Sequence, residues 1–161
     1  MSNSSIAPLE ITRGMRRSIL SSIFGSWFGV CTALQFLTGL FLILGASAVE
    51  IALLTSLPML GLALQFFSTL FTQHLRRRKP YWFWLATIHR LLWLPIALVP
   101  FFIGSLGSKA VIIIFLGFFF LSSILGSMSA PFWFSWMADL VPKEQAGKFW
   151  GRRAAVVRAW K

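Results

Sequence analysis

The chain reads as an all-α membrane protein with four transmembrane helices and the start of a fifth, and three observations predict it. Hydrophobic residues make up 57% of its 161 residues and charged residues 12%, about half the charged share usual in a soluble domain. Four apolar stretches fill most of the chain, each long enough for the roughly 20-residue helix that crosses a bilayer core about 30 Å thick. Basic residues gather in alternate gaps between these stretches. A backbone facing lipid must satisfy its hydrogen bonds internally, so the stretches are helices.

The charge distribution orients them. A net charge of +11 points to nucleic acid in a soluble protein, but here it follows topology. Arg13, Arg16 and Arg17 precede the first stretch. Arg76, Arg77, Arg78 and Lys79 separate the second and third, and Lys143, Lys148, Arg152 and Arg153 follow the fourth. The other two gaps hold only Lys109, with Glu50 at the edge of one. This bias places the N-terminus in the cytoplasm, with the chain in a cell (inner) membrane. The lipid bilayer is its expected partner, and nucleic acid is not. The single cysteine, Cys31, lies within the first stretch and excludes a disulfide inside the chain. The apolar run from Ile19 to Leu44 is too long for a cleaved signal core, so it reads as an uncleaved first helix.

Taken in order, residues 1–14 are a polar cytoplasmic leader and 15–137 a four-helix bundle. Residues 138–153 are a cytoplasmic loop, and 154–161 open a truncated fifth helix. The first helix spans about 15–44 and ends at the small residues Gly45-Ala46-Ser47-Ala48, an outer turn. The second spans about 51–72 with Pro58 near its outer end, where a proline removes a hydrogen bond and kinks the helix. Pro80 suits the first turn of the third, about 81–103. The fourth spans about 109–137 and bends at Pro131. Pro142-Lys143-Glu144-Gln145 signals a short surface helix. Trp82, Trp84, Trp133, Trp136 and Trp150 fall near cytoplasmic helix ends, as an interfacial belt requires. Rows of small residues, Ser21-Gly25-Gly29 and Ser122-Gly126-Ala130, predict close-packing faces on the first and fourth helices.

Little here suggests catalysis. The acids are Glu10, Glu50, Asp139 and Glu144, all in leaders or loops, and no carboxylate pair or nucleophile–base pair shares a helix face. No enzyme activity, cofactor or metal is expected. Arg90 is the exception inside the membrane, near the middle of the third helix beside His89. A central arginine costs about 2.5 to 3.5 kcal/mol on insertion scales and must face a partner or a wet cavity. It is a substrate or coupling-ion contact, a structural arginine bonded to neighbouring helices, or one snorkelling from an off-centre depth. Thr32, Gln35 and Thr38 form a polar row on the first helix, and Gln65, with Ser68 and Thr69, a comparable patch on the second. Either set could line a solute pathway or bond to adjacent helices.

Two inner segments carry a resemblance. The stretch Ser68-Thr69-Leu70-Phe71-Thr72-Gln73-His74-Leu75-Arg76-Arg77 is similar to the G-x-x-x-D-R-x-G-R-R loop of the major facilitator superfamily of secondary transporters, matching it in the terminal basic pair. Asp139-Leu140-Val141-Pro142, Gly147 and Gly151-Arg152-Arg153 resemble that family's loop between helices four and five. The resemblance covers nearly the whole chain and about the first third of the family's usual twelve helices, within its N-terminal six-helix bundle. It implies alternating access around a midplane site, a small solute and a coupling proton or ion. It also implies a cytoplasmic gating latch. Thr72 stands where the family has the latch aspartate, so Asp139 against Arg76, Arg77, Arg78 and Lys79 is the candidate substitute.

Two readings stand: a transporter fragment inactive without its remaining helices, or an independent four-helix accessory or assembly protein. Topology is directly testable. Cysteines introduced at Ser47 and Ser105 should react with an impermeant thiol reagent on whole cells, and labelling at His74 instead overturns the orientation.

Overall fold

The computed structural model describes residues 8–75 and 78–159. The described chain is helical almost throughout, and four of its helical stretches are long and apolar enough to cross a membrane: Ser18–Ile43, Ala48–Thr72, Lys79–Leu106 and Ser108–Leu140. Large apolar side chains such as Phe24, Ile43 and Phe101 are 76%, 85% and 83% exposed. Surface of that kind marks a membrane or interaction face. The chain is a multi-pass membrane protein.

The first span is two helices, α1 (Pro8–Cys31) and α2 (Leu34–Ile43), rather than one continuous rod. Thr32 Oγ1 bonds back to the Phe28 carbonyl at 2.8 Å, beside the Thr32 amide on the same oxygen at 3.0 Å. The Ala33 amide then turns to Val30 at 3.2 Å, one residue short of the α pattern. Helix also begins at Pro8, inside the segment expected as leader; residues 1–7 lie outside the described residues.

Helix α3 (Ala48–His74) starts where its cap chemistry dictates. Gly45 turns the chain at φ 73°, a region that favours glycine. Ser47 and Glu50 then form a reciprocal capping box, with Glu50 accepting from the Ser47 amide at 2.6 Å. Glu50 also receives Lys109 Nζ at 2.9 Å. The two lone charges of the sparsely charged gaps therefore meet, tying the start of α3 to the start of α7 (Ser108–Leu140).

The third span is the most broken: α4 (Lys79–Leu91), α5 (Trp93–Leu98), a 3₁₀ turn at Val99–Phe102 and α6 (Ile103–Leu106). Prolines explain it. Pro95 has no N–H for the Leu91 carbonyl, where α4 ends, and Pro100 falls in the 3₁₀ turn. Pro131 does not end α7, which runs through it. Beyond Pro142, helix starts at Lys143, where the short helix is expected, and runs on unbroken as α8 (Lys143–Ala159), through the rest of the expected loop and the separate helix start. Its interior holds Gly147 and Gly151 but no proline.

The chain divides into two compact units. In the first, residues 1–33 and 137–161, α1 packs on α8. Phe149 and Met137 are buried there, and Gly14 lies close against the Leu140 side chain. The second, residues 34–136, is built on α7, the most apolar span at a mean hydropathy of 2.4 against 1.6 to 1.7 for the others. A helix apolar all round belongs inside a bundle. Phe41, Leu54, Ile96, Val111, Ile112 and Phe115 form the centre of its core, with Phe41 edge-on to Phe115 at 5.1 Å.

Neighbours run along this spine in a definite order. Along α3, Glu50 meets Lys109, Gly61 meets Ser123 and Ser127, and Ser68 donates to the Met128 carbonyl at 2.7 Å, so α3 is parallel to α7. Along the third span, Tyr81 stacks on Phe132 and Trp82 on Trp136, then His89 meets Ser122 and Trp93 meets Phe119. That order is antiparallel.

The cap and the ion pair separate by energy. Ser47→Ala should cost about 1 kcal/mol, as lost N-caps do. Lys109→Met, whose side chain is 65% exposed, should change stability less than that. Equilibrium unfolding in mixed micelles checks both, and a larger loss at Lys109 contradicts the ranking.

Candidate functional site

Helical spacing sets Trp82, Ala86, His89 and Arg90 on one face of α4, at i, i+4, i+7 and i+8. Ser123, Gly126, Ser127 and Ser129 approach from α7 and Pro58 from α3. Together these nine residues line a cleft of about 360 Å³. That volume is at the small end of ligand pockets, which run to roughly 300 to 1,000 Å³. The cleft belongs wholly to the second unit.

One wall is fixed by a double tie. His89 Nδ1 is 2.9 Å from the Ser122 carbonyl and 2.8 Å from Ser122 Oγ. A carbonyl only accepts, so Nδ1 carries the hydrogen, and Ser122 Oγ donates in turn to the His89 carbonyl at 3.2 Å. In the neutral ring Nε2 is then the hydrogen-free nitrogen. The imidazole reaches this position because Gly126 has no side chain. A Cβ there would lie 3.0 Å from His89 Cε1. Gly61 is held as closely, with the Ser123 carbonyl and Ser127 Oγ both 3.0 Å from where its Cβ would be.

Arg90 lies near the middle of the 28-residue third span. It is exposed and lines the cleft, and its Nη1 donates to the Ala86 carbonyl at 3.2 Å. Ser123 and Ser129 bond to the Phe119 and Gly126 carbonyls of their own helix, both at 2.8 Å. Pro131 has no N–H, so the Ser127 carbonyl lacks the bond it would otherwise accept from within α7. The cleft thus offers one full positive charge, an imidazole, serine oxygens and a backbone acceptor, and no carboxylate among its lining residues.

The other candidate pathway residues fall elsewhere. Thr32 and Thr38 donate to the Phe28 and Leu34 carbonyls, each at 2.8 Å within its own turn. Gln35 is exposed and Gln65 half-buried. Neither they nor Thr38 joins the lining. Of the gating residues, Arg76 and Arg77 lie outside the described residues. Arg78 Nε donates to the Thr72 carbonyl at 3.3 Å, Lys79 sits 5.7 Å over the Trp136 ring, and Asp139 is exposed at the end of α7. Trp82 and Trp136, expected as interfacial anchors, stack on one another at 5.5 Å.

The small row Ser122-Gly126 does mark a packing face of α7. The row on α1 does not pack in the same way, since a Cβ at Gly25 or Gly29 meets nothing within 4 Å. The sequence marks His89 only as a neighbour of Arg90, and nothing in it singles out Ser123, Ser127 and Ser129; the spacing of His89 from Ala86 and Trp82 is the signal that joins it to the cleft.

No protein-family model matches the chain, and no curated protein or solved structure matches it.

Close approach makes the glycines unequal. Gly61→Ala should lose about 1 to 3 kcal/mol, the usual cost of overpacking, because a backbone carbonyl cannot yield. Gly126→Ala should lose a comparable amount, because moving the His89 ring strains its bonds to Ser122. Gly25→Ala should be neutral or mildly stabilising. Thermal unfolding in detergent ranks the three, and equal effects at Gly61 and Gly25 contradict the packing.

Proposed function

We propose that this chain is part of a secondary active transporter of the major facilitator type, in which the Arg90 cleft contacts a small solute as the bundle alternates between its two openings. One observation carries the reading: a mid-span arginine borders a ligand-sized polar cleft where three helices meet. Ionisable residues at this depth mark substrate or ion pathways, and transporter sites lie near the midplane between helices. The two inner-loop resemblances support the family. The charge bias supports a cytoplasmic N-terminus in a cell (inner) membrane, and His89 is the group placed to couple a proton.

A second reading has its own support. The second unit has a core of its own, and Glu50 and Lys109 clasp the starts of α3 and α7 within it, which suits a stand-alone accessory subunit.

Water access distinguishes the two. With Cys31→Ser as background, a cysteine at Ser129 should react with a small impermeant thiol reagent applied from either side, while one at the lipid-exposed Leu121 should not. Silence at Ser129 from both sides makes Arg90 a packing residue and favours the accessory reading. Arg90→Lys in cells should cut solute movement at normal protein level, because lysine's point charge does not reproduce the planar guanidinium fork.

A further inference from the structure

The two ends of the second unit differ in charge. At one, Glu50 and Lys109 clasp each other at 2.9 Å and cancel. At the other, α4 opens at Lys79, the first residue of the third span. Arg78 beside it donates through Nε to the Thr72 carbonyl at 3.3 Å. Lys79 is exposed, and its ammonium lies 5.7 Å from the centre of the Trp136 ring.

That ring belongs to a stacked platform. Trp136 stacks on Trp82 at 5.5 Å and Tyr81 on Phe132 at 5.9 Å, so two aromatic pairs join the start of α4 to the last turns of α7. Tryptophan and tyrosine gather at the headgroup level of a bilayer, where an apolar body and a polar edge are both satisfied. The Trp136 face attracts the ammonium and fixes its place, but offers its N–H donors no oxygen. One turn further into the span Phe83 is exposed, with exposed Trp84 beside it. A cation at headgroup height above an apolar wall matches a lipid phosphate with its acyl chains below. Zwitterionic lipids carry a cation of their own beside the phosphate, which Lys79 repels, and anionic headgroups carry none. Basic residues at a membrane surface draw anionic lipid for the same reason.

We propose that the Lys79–Trp136 corner binds one anionic phospholipid, whose phosphate meets the Lys79 ammonium while its chains lie along Phe83. A soluble anion would meet the charge and leave the apolar wall unused. The site serves a transporter fragment and an accessory subunit alike.

The test is native mass spectrometry of the full chain released from detergent micelles that hold equal amounts of phosphatidylglycerol and phosphatidylcholine with the same chains. Phosphatidylglycerol should be retained in preference, and Lys79→Gln should cut its retention about fivefold, the scale of one cation at an anionic surface. Lys109→Gln removes the same charge from the clasped end and should leave retention unchanged. Trp136→Leu, which removes the ring beneath the ammonium, should weaken it. Lys79→Arg keeps the charge and should keep the preference, which guards against misfolding of the glutamine variant. Equal retention of the two lipids, equal losses in Lys79→Gln and Lys109→Gln, or loss in Lys79→Arg overturns the site. Inorganic phosphate added at the lipid concentration should displace nothing, and phosphate retained in place of the lipid overturns the lipid as occupant.

Discussion

A leucine gains nothing by leaving lipid for another helix, so in this chain close approach, and not apolar area, decides what packs against what. The residues that permit it are concentrated on α7. Gly126 admits the His89 ring, the Ser123 carbonyl lies against Gly61, and the Met128 carbonyl receives the Ser68 hydroxyl. The parallel course of α3 and the antiparallel course of α4 both follow from these contacts. The cleft follows too. Where serine and glycine stand in for bulkier side chains, the helices touch at a few points and leave a polar gap between them.

How much of this was legible depended on the physics behind each feature. The four spans were, because length and hydropathy are properties of the residues alone. The Gly45–Ser47 turn was as well, since a glycine followed by a capping serine and Glu50 three residues on is a local signal. The break after Cys31 was not, because no glycine or proline stands in Val30-Cys31-Thr32-Ala33 to mark it. The fragmentation of the third span was in principle readable from Pro95 and Pro100, whose missing N–H groups leave specific carbonyls without partners. The start of α8 just after Pro142 was legible, but its continuity across the basic Arg152–Arg153 pair was hidden by its polarity, which resembles that of a loop.

The candidate site divides in the same way. Arg90 stood out because a charge in an apolar run is conspicuous in any single sequence. Its neighbours did not, because serine and glycine are ordinary in membrane helices and become informative only when another helix is placed against them. The polar row at Thr32, Gln35 and Thr38 shows the converse. Threonine satisfies itself on the preceding turn, so a conspicuous polar residue in a membrane helix need not face anything.

The clasp between Glu50 and Lys109 has an electrical consequence. The net force a membrane potential exerts on a rigid group is set by its net charge, with work of about 2.3 kcal/mol per unit charge per 100 mV for a full crossing. The clasped pair carries no net charge, so voltage exerts no net pull on it. Arg90, near the middle of its span, bears its charge where such a field would act.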